Sequence, residues 1–488
     1  MGGAGSTSSS AFITHEGTDF ILDDEPFHFV GANIYNAAGD PNTYNCGPQL
    51  QNPDEELDDW FSRFKGDSGS QVIRFWAYQS YTKGGTDWRA LDRVVRLAKE
   101  HGLKVIPVLE NQWPECSEGG YKYDSWYSGD YLKPYGAYPL SYKDYVGHVV
   151  ERYKDEPTVA AWMLMNEAES KTNSGGEENP DALYTFAQDM SAYVKDLDEN
   201  HLVTLGTIGS GQPGVGGSNY EHLYSLPTLD FAEFHDYGPN DEAMPGASSV
   251  PVAPLHTSVF TQDHDWNWKE QDYRQNKARM WETWTAEVPS GAQPFERIGL
   301  KFVGGPVEDT YIDQVQIGAK VFDFEDETTQ GWQSDAPVTL ENTSDVAYEG
   351  SQSLRLTFSE RTEGTQVWIP SLPDSGPGTS VTVRVYVDTA GSIEESNSLA
   401  TAMRKSKELN KPIIVGEAGM TTCGSYNGSQ PETPDSRAQK FDAKMGAFFE
   451  NGGAGYLIWM WHPSSDCSYD FTSGDPLNAV LAKYTATF

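Results

Sequence analysis

A (β/α)8 TIM barrel with an inserted all-β jelly-roll sandwich between strands 6 and 7 is predicted by three observations. Eight short apolar runs recur along the 488 residues, each closing on polar side chains. Amphipathic segments at helical spacing stand between them. Between the sixth and seventh runs the pattern changes to alternating strands and Gly/Pro/Ser/Asp-rich turns. Near-continuous apolar strands alternating with amphipathic helices mean a parallel sheet covered by helices. Eight such units close into a barrel whose chemistry sits at the carboxyl ends of the strands.

The runs are "FHFVGANIY" (27–35), "QVIRFWA" (71–77), "LKVIPVLENQW" (103–113), "VAAWMLMNE" (159–167), "HLVTLGTIG" (201–209), "LDFAEFHDY" (229–237), "KPIIVGEAG" (411–419) and "AGYLIWMWH" (454–462). Helical periodicity runs over 87–102, 142–157, 183–201, 397–412 and 435–453. These elements assign 17–254 and 393–488 to the barrel and 255–392 to the insert. The small, polar opening, residues 1–16, reads as a disordered linker left after a removed leader.

The charge is lopsided, 72 acidic against 34 basic residues, net −38. Such a chain repels nucleic-acid phosphates, which excludes that class of partner. No apolar run approaches a membrane span, so no membrane partner is expected. Dispersed carboxylate repels itself at low salt, and molar salt screens it, so a salt-adapted, halophilic protein is expected. A monomer is the default expectation. Cys46, Cys116, Cys423 and Cys467 lack zinc-site spacing and point to two disulfides in an oxidising, extracellular setting. All four follow barrel strands. Because strands seven and eight are neighbours, Cys423–Cys467 is the first expected pairing and Cys46–Cys116 the second, among three connectivities.

The strand ends carry the chemistry. Asn33 closes the first, Arg74 the second, Asn111 and Gln112 the third, Asn166 and Glu167 the fourth. His235 and Tyr237 close the sixth, Glu417 the seventh, Trp459 and Trp461 the eighth. Strands four and seven face each other across an eight-stranded ring, so Glu167 and Glu417 approach over the mouth. Paired carboxylates about 5–5.5 Å apart suit retaining glycoside hydrolysis, and about 6.5–9.5 Å suits inversion. Trp76, Trp113 and Trp461 stand at the same ends, as cleft wall or as core.

The segments "MNEA", "HDYG", "VGEAG" and "IWMW" together resemble glycoside hydrolase family 5. "FVGANIY", "VIRFWAYQS" and "DEPTVAAWMLMNEAES" resemble its endo-β-mannanases, here of a halophilic or haloarchaeal type. The resemblance implies a retaining mechanism with Glu167 as acid/base and Glu417 as nucleophile. Arg74 would hold the nucleophile ionised and Asn166 would bind the sugar 2-hydroxyl. His235 and Tyr237 would position the glutamates and substrate, and Trp459 would be the stacking floor. No catalytic cofactor is expected. Two departures stand out: Ala168 follows the acid/base where the family usually has Pro, and the third strand ends "ENQW" where the mannanases read Asn-Asn-Trp. The expected substrate is neutral plant polysaccharide, β-mannan or glucomannan. A cellulase of the same mechanism, an exo-acting β-glycosidase and a non-catalytic sugar-binding barrel are the alternatives.

In the insert, "TSVFTQ", "RIGLKFVG", "TYIDQVQIG", "SQSLRLTF", "TQVWIP" and "SVTVRVYVD" read as sandwich strands. They resemble a carbohydrate-binding module whose usual end (296–318) precedes its usual start (321–333), a circular permutation joined near Gly318–Val321. Trp266, Trp268, Trp332 and Trp368 are candidates for a sugar-stacking platform, or core. Asp313, Asp323 and Glu325 resemble the calcium corner of such modules.

Overall fold

The computed structural model describes residues 11–44, 46–47, 50–173, 176–209, 211–237, 252–263, 268–277, 279–288, 295–304, 309–335, 338–358, 362–370, 372, 376–388, 399–423, 431–464 and 469–488. The chain divides into two compact units, Met1–Ser248 with Asn397–Phe488, and Ser249–Ser396.

The first unit is an eight-stranded parallel sheet. Its strands are β1 (Phe29–Asn33), β2 (Val72–Trp76), β3 (Lys104–Val108), β4 (Ala161–Met163), β5 (Leu202–Thr204), β6 (Ala232–Asp236), β7 (Ile413–Ala418) and β8 (Gly455–Ile458). Their order is β5-β4-β3-β2-β1-β8-β7-β6. Ring closure between β5 and β6 is carried by Asp230 N donating to Val203 O (2.8 Å) and His235 N donating to Ile208 O (2.9 Å). The strands are buried on both faces, which is why each reads as a continuous apolar run.

Helices cover the outside. Arg89–Glu100 buries Leu91, Val94, Val95 and Ala98 on one face. Ser141, Asn179 and Thr433 cap the helices Tyr142–Tyr153, Pro180–Leu197 and Pro434–Glu450 by accepting from a backbone N–H three residues on.

Two expectations are corrected. Residues 14–16 are not linker: Thr14–Glu16 pairs antiparallel with Asp19–Leu22, and Phe20 packs against Phe29 and Phe231. Gly17, at φ +62°, supplies the left-handed residue that this tight turn needs. Strand four is regular only over Ala161–Met163; Leu164 N and Met165 N still donate to Thr204 O and Leu205 O and Asn166 N to Glu110 O, and the chain turns away at Glu167, φ +57°.

The second unit is two antiparallel sheets with a shared core. One orders Trp268–Lys277, Val252–Asp263, Phe295–Gly304, Thr362–Pro370 and Gln333–Ser334. The other orders Lys320–Phe322, Val315–Ile317, Ser380–Asp388, Asp309–Ile312, Ser353–Phe358 and Val338–Thr343, with Trp281–Glu287 also on Ser380–Asp388. Alternate residues Val381, Val383, Val385 and Val387 point inward against Ile298, Leu300, Phe302 and Val367. Trp332 lies in this core, 3% exposed, because Phe322 packs edge-on to it; it is no platform residue. Trp368 is 8% exposed and lies under the Arg297 guanidinium. Trp266 lies outside the described residues.

Candidate active site

Period-two alternation puts Glu233 and His235 on the inward face of β6. On β7 a register shift falls between Val415 and Glu417, so Glu417 pairs with His235 and Gly416 is skipped. Such a bulge re-aims the next side chain. The Gly416 carbonyl freed by it accepts from Asn33 Nδ2 at 2.9 Å, tying β1 to β7.

Arg74 is fully buried at the centre. Its Nη1 donates to Glu417 Oε1 at 2.6 Å and to Asn33 Oδ1 at 2.9 Å. Its Nη2 donates to Asn166 Oδ1 at 2.6 Å, and Nε lies 3.8 Å from Glu233 Oε1. Tyr237 O–H donates to the other oxygen of Glu417 at 2.8 Å. Asn166 Nδ2 in turn donates to Asn111 Oδ1 at 3.0 Å.

Glu167 faces this group. Trp113 Nε1 donates to its Oε2 at 2.6 Å, and His235 Nδ1 stands 2.7 Å from its Oε1. Gln212 Nε2 donates to the Glu167 carbonyl at 2.8 Å and holds the left-handed turn. His235 Nδ1 is also 3.6 Å from Glu417 Oε2, and its Nε2 is 3.4 Å from Glu233 Oε1. One oxygen each of Glu167 and Glu417 and a nitrogen of His235 lie within 4.8 Å of one another.

The electrostatics follow from burial and neighbours. Burial alone would push His235 down, but Glu417, Glu167 and Glu233 override it and lift it to about 10. Burial pushes Glu417 above the ordinary carboxylate range, with Glu167 adding to it while His235 and Arg74 oppose. Burial also acts on Glu167, yet the hydrogen bonds from His235 and Trp113 bring it below its ordinary value. Two carboxyls this close titrate as one coupled pair and hold a single proton between them. Both His235 nitrogens face carboxylate oxygens. With both nitrogens protonated, the imidazole would donate on both sides and offer no lone pair to a metal ion.

Aromatic rings wall the mouth. Trp459 stacks on Tyr35 (5.4 Å, 16°) and lies 5.8 Å from Trp76. Trp113 packs against Tyr121 at 5.5 Å. Trp461 is instead core: it is fully buried, edge-on to Trp60 and Phe64 of the helix Pro53–Ser68. Of the alternatives for that residue, the packing one is what the structure displays.

Behind the wall, the buried Glu110 accepts from Asn111 N at 2.7 Å and from the hydroxyls of Ser117 and Tyr135, with Lys122 Nζ at 3.5 Å. Gln112, the departure in "ENQW", is buried and bonded beside it: its Nε2 donates to Lys122 O at 2.7 Å, and its Oε1 accepts from the Tyr127 hydroxyl and from Glu169 N at 3.2 Å. Cys46 and Cys116 form a disulfide across the same rim. Cys423 is disulfide-bonded, and its expected partner Cys467 lies outside the described residues.

Glu233 escaped the sequence reasoning, since a single acid inside the apolar run "LDFAEF" carries no motif. The inward parity it shares with His235 is the signal that could have found it. The calcium corner does not assemble: among the described residues, Asp313, Asp323 and Glu325 do not meet within ligand distance. Asp313 accepts from Gln314 N, Tyr348 N and Glu349 N, and Glu325 from Ser351 N and Gln352 N. Backbone donors occupy the oxygens that a cation would need.

Comparison with known proteins supports the same region. The family described as Cellulase (glycosyl hydrolase family 5) matches residues 45–282. "Probable mannan endo-1,4-beta-mannosidase F" of Neosartorya fischeri is 29% identical over 266 residues, 47% of this chain and 54% of that protein. "Mannan endo-1,4-beta-mannosidase A" of Podospora anserina is 28% identical over 286 residues, 51% of this chain and 68% of that one. The chain is thus homologous to fungal mannan endo-1,4-beta-mannosidases while spanning little more than half of the first of them. Among solved structures, the endo-1,4-beta-mannanase of Rhizomucor miehei aligns with TM-score 0.52 at 16% identity, covering 98% of this chain and 100% of that chain. At that identity it is the fold that is shared.

Proposed function

We propose that this protein is a retaining endo-β-1,4-glycanase that hydrolyses neutral plant polysaccharide, β-mannan or glucomannan first. The observation that carries the reading is the pair Glu167 and Glu417, with oxygens within 4.8 Å across His235. That spacing is nearer the about 5–5.5 Å that suits retention than the about 6.5–9.5 Å that suits inversion. The mannan-directed part rests on the named activity of the fungal relatives. The description of the matching family favours one second reading, a β-1,4-glucanase of the same mechanism.

In this reading Glu417, held by Arg74 and Tyr237 on its two oxygens, attacks the anomeric carbon. With substrate bound, the proton of the pair passes from Glu417, where burial favours it in the empty site, to Glu167, which gives it to the leaving glycosidic oxygen. The glycosyl ester removes the charge of Glu417, and Glu167, already drawn down by His235 and Trp113, becomes the base that takes a proton from water. That water attacks the anomeric carbon, releases the sugar and restores Glu417. Asn166, oriented by Arg74 and Asn111, binds the sugar 2-hydroxyl in this reading, and Trp459 stacks under the ring.

Three further features belong to the proposal. The Cys46–Cys116 disulfide suits a secreted protein. The net charge of −38 suits a salt-adapted one. The hairpin Val315–Ile317/Lys320–Phe322, turning at Gly318, suits a permuted carbohydrate-binding module over 255–392 whose ancestral ends were joined there.

The test is reducing-sugar release from galactomannan, glucomannan and carboxymethylcellulose in molar salt, with Glu417→Ala alongside. Galactomannan cleavage lost in the variant supports the mannanase reading. Cleavage of the cellulose derivative alone moves the substrate to glucan. No cleavage by a folded protein overturns the proposal.

A further inference from the structure

A third carboxylate lies beneath the pair. Glu233 is fully buried, and its Oε2 has no hydrogen-bond partner. Its Oε1 faces two cations, Arg74 Nε at 3.8 Å and His235 Nε2 at 3.4 Å. Room for it is made by Gly416, where any Cβ would collide with Glu233 Oε1. A buried, half-satisfied carboxylate is costly to keep. Nothing in the double-displacement chemistry uses it directly.

We propose that Glu233 is a positioning residue that keeps His235 doubly protonated throughout the catalytic cycle. The inference rests on the glycanase reading. Nε2 faces the Glu233 carboxylate below, and Nδ1 faces Glu167 and Glu417 above, one of which is ionised at each stage, so both nitrogens carry a proton. The imidazolium then sits 2.7 Å from Glu167 and 3.6 Å from Glu417. With substrate bound, the negative charge is on Glu417 before the glycosyl ester forms and on Glu167 afterwards. A fixed cation beside both stabilises it in either place, and no proton has to be delivered to the histidine at each turnover. Around His235 stand Glu233 on its own strand, Glu167 after β4 and Glu417 on β7, with Arg74 and Tyr237 beyond them on the oxygens of Glu417. Tyr220, from the helix Ser218–Tyr224, donates to the Glu233 carbonyl, and Tyr224 is the next aromatic neighbour of that carbonyl.

The test uses the full chain with 15N-labelled histidine, the His235 signals being identified by their loss in His235→Gln. In the wild type both ring nitrogens are expected to remain protonated at pH 8. In Glu233→Gln one should lose its proton, and Glu233→Asp should restore it. The pH profile of kcat on the best substrate gives a second readout. Losing the imidazolium raises both glutamates, so the Glu233→Gln profile should move to higher pH with kcat down about tenfold and KM nearly unchanged. A neutral imidazole in the wild type overturns the proposal, as does a Glu233→Gln imidazolium that persists. So does a profile moved to lower pH, the sign expected if Glu233 acts only as a nearby negative charge. Should the wild type cleave no β-glycan, the glycanase reading fails, and the nitrogen signals still decide the protonation state.

Discussion

Glu233 occupies the space that a side chain at position 416 would fill, so a glycine on one strand and a buried acid on the next are a single fitted unit. Gly416→Ala should therefore displace Glu233 and cost about 1–3 kcal/mol, the usual range for overpacking a core. In a Glu233→Gly background the same alanine should cost far less. Chemical denaturation of the four proteins of this double-mutant cycle measures the coupling, and additive costs would show that the two positions do not share space.

The protonated His235 links folding to pH. Its folded value is about 10 against 6.5 for a free imidazole, so its contribution is complete below about 6.5 and is lost as the pH rises to about 10. The stability gap between wild type and His235→Gln should narrow over that window, as read by urea unfolding at pH 6 and pH 10. A gap that widens towards alkaline pH would contradict the assignment.

Glu167 pairs its chemistry with a left-handed backbone, φ +57°. A non-glycine residue there costs about 1–2 kcal/mol. Glu167→Gly should thus be more stable than Glu167→Ala by about 1 kcal/mol, with activity abolished in both. Thermal unfolding of the two variants is the comparison that checks it.

The Cys46–Cys116 bridge joins residues 70 apart in sequence. Loop-closure entropy for that length gives about 4 kcal/mol of stabilisation. The double substitution Cys46→Ser/Cys116→Ser should lower the urea midpoint accordingly and loosen the rim that carries Trp113, with KM rising more than kcat falls.

With net charge −38, the melting temperature should rise as potassium chloride increases from 0.1 M towards molar, through screening of self-repulsion. A melting temperature that falls over that range would remove the salt-adapted reading.

The barrel was legible because each strand is buried on both faces and each run ends in a polar group, and because Glu167, His235 and Glu417 announce themselves at those ends. The carboxylate pair could be anticipated from the strand count, since strands four and seven stand three places apart in a closed ring of eight and their ends converge over one mouth. What sequence reasoning could not supply was depth. Glu233 looks like a break in an apolar run until strand parity places it beside His235, and Trp461 looks like a mouth aromatic until Trp60 and Phe64 close over it. The acids at 313, 323 and 325 looked like ligands because composition cannot say whether a carboxylate faces an ion or its own backbone. The hairpin at 14–22 was missed because its turn rests on one left-handed glycine in a polar stretch.

The unequal seams of the ring set where the barrel breathes. Among the described residues, β6 is held to β7 by five paired positions, and to β5 by two backbone hydrogen bonds helped by side chains: the Asp230 carboxylate at Val203 N and the Thr204 and Thr207 hydroxyls on the Phe231 and Glu233 carbonyls. Thermal opening should therefore begin along β5, and amides near Leu202–Thr204 should exchange with deuterium before those of β7. The strand pair carrying His235 and Glu417 moves as one piece through such openings. The barrel can thus loosen on one flank while the distance between histidine and nucleophile stays fixed.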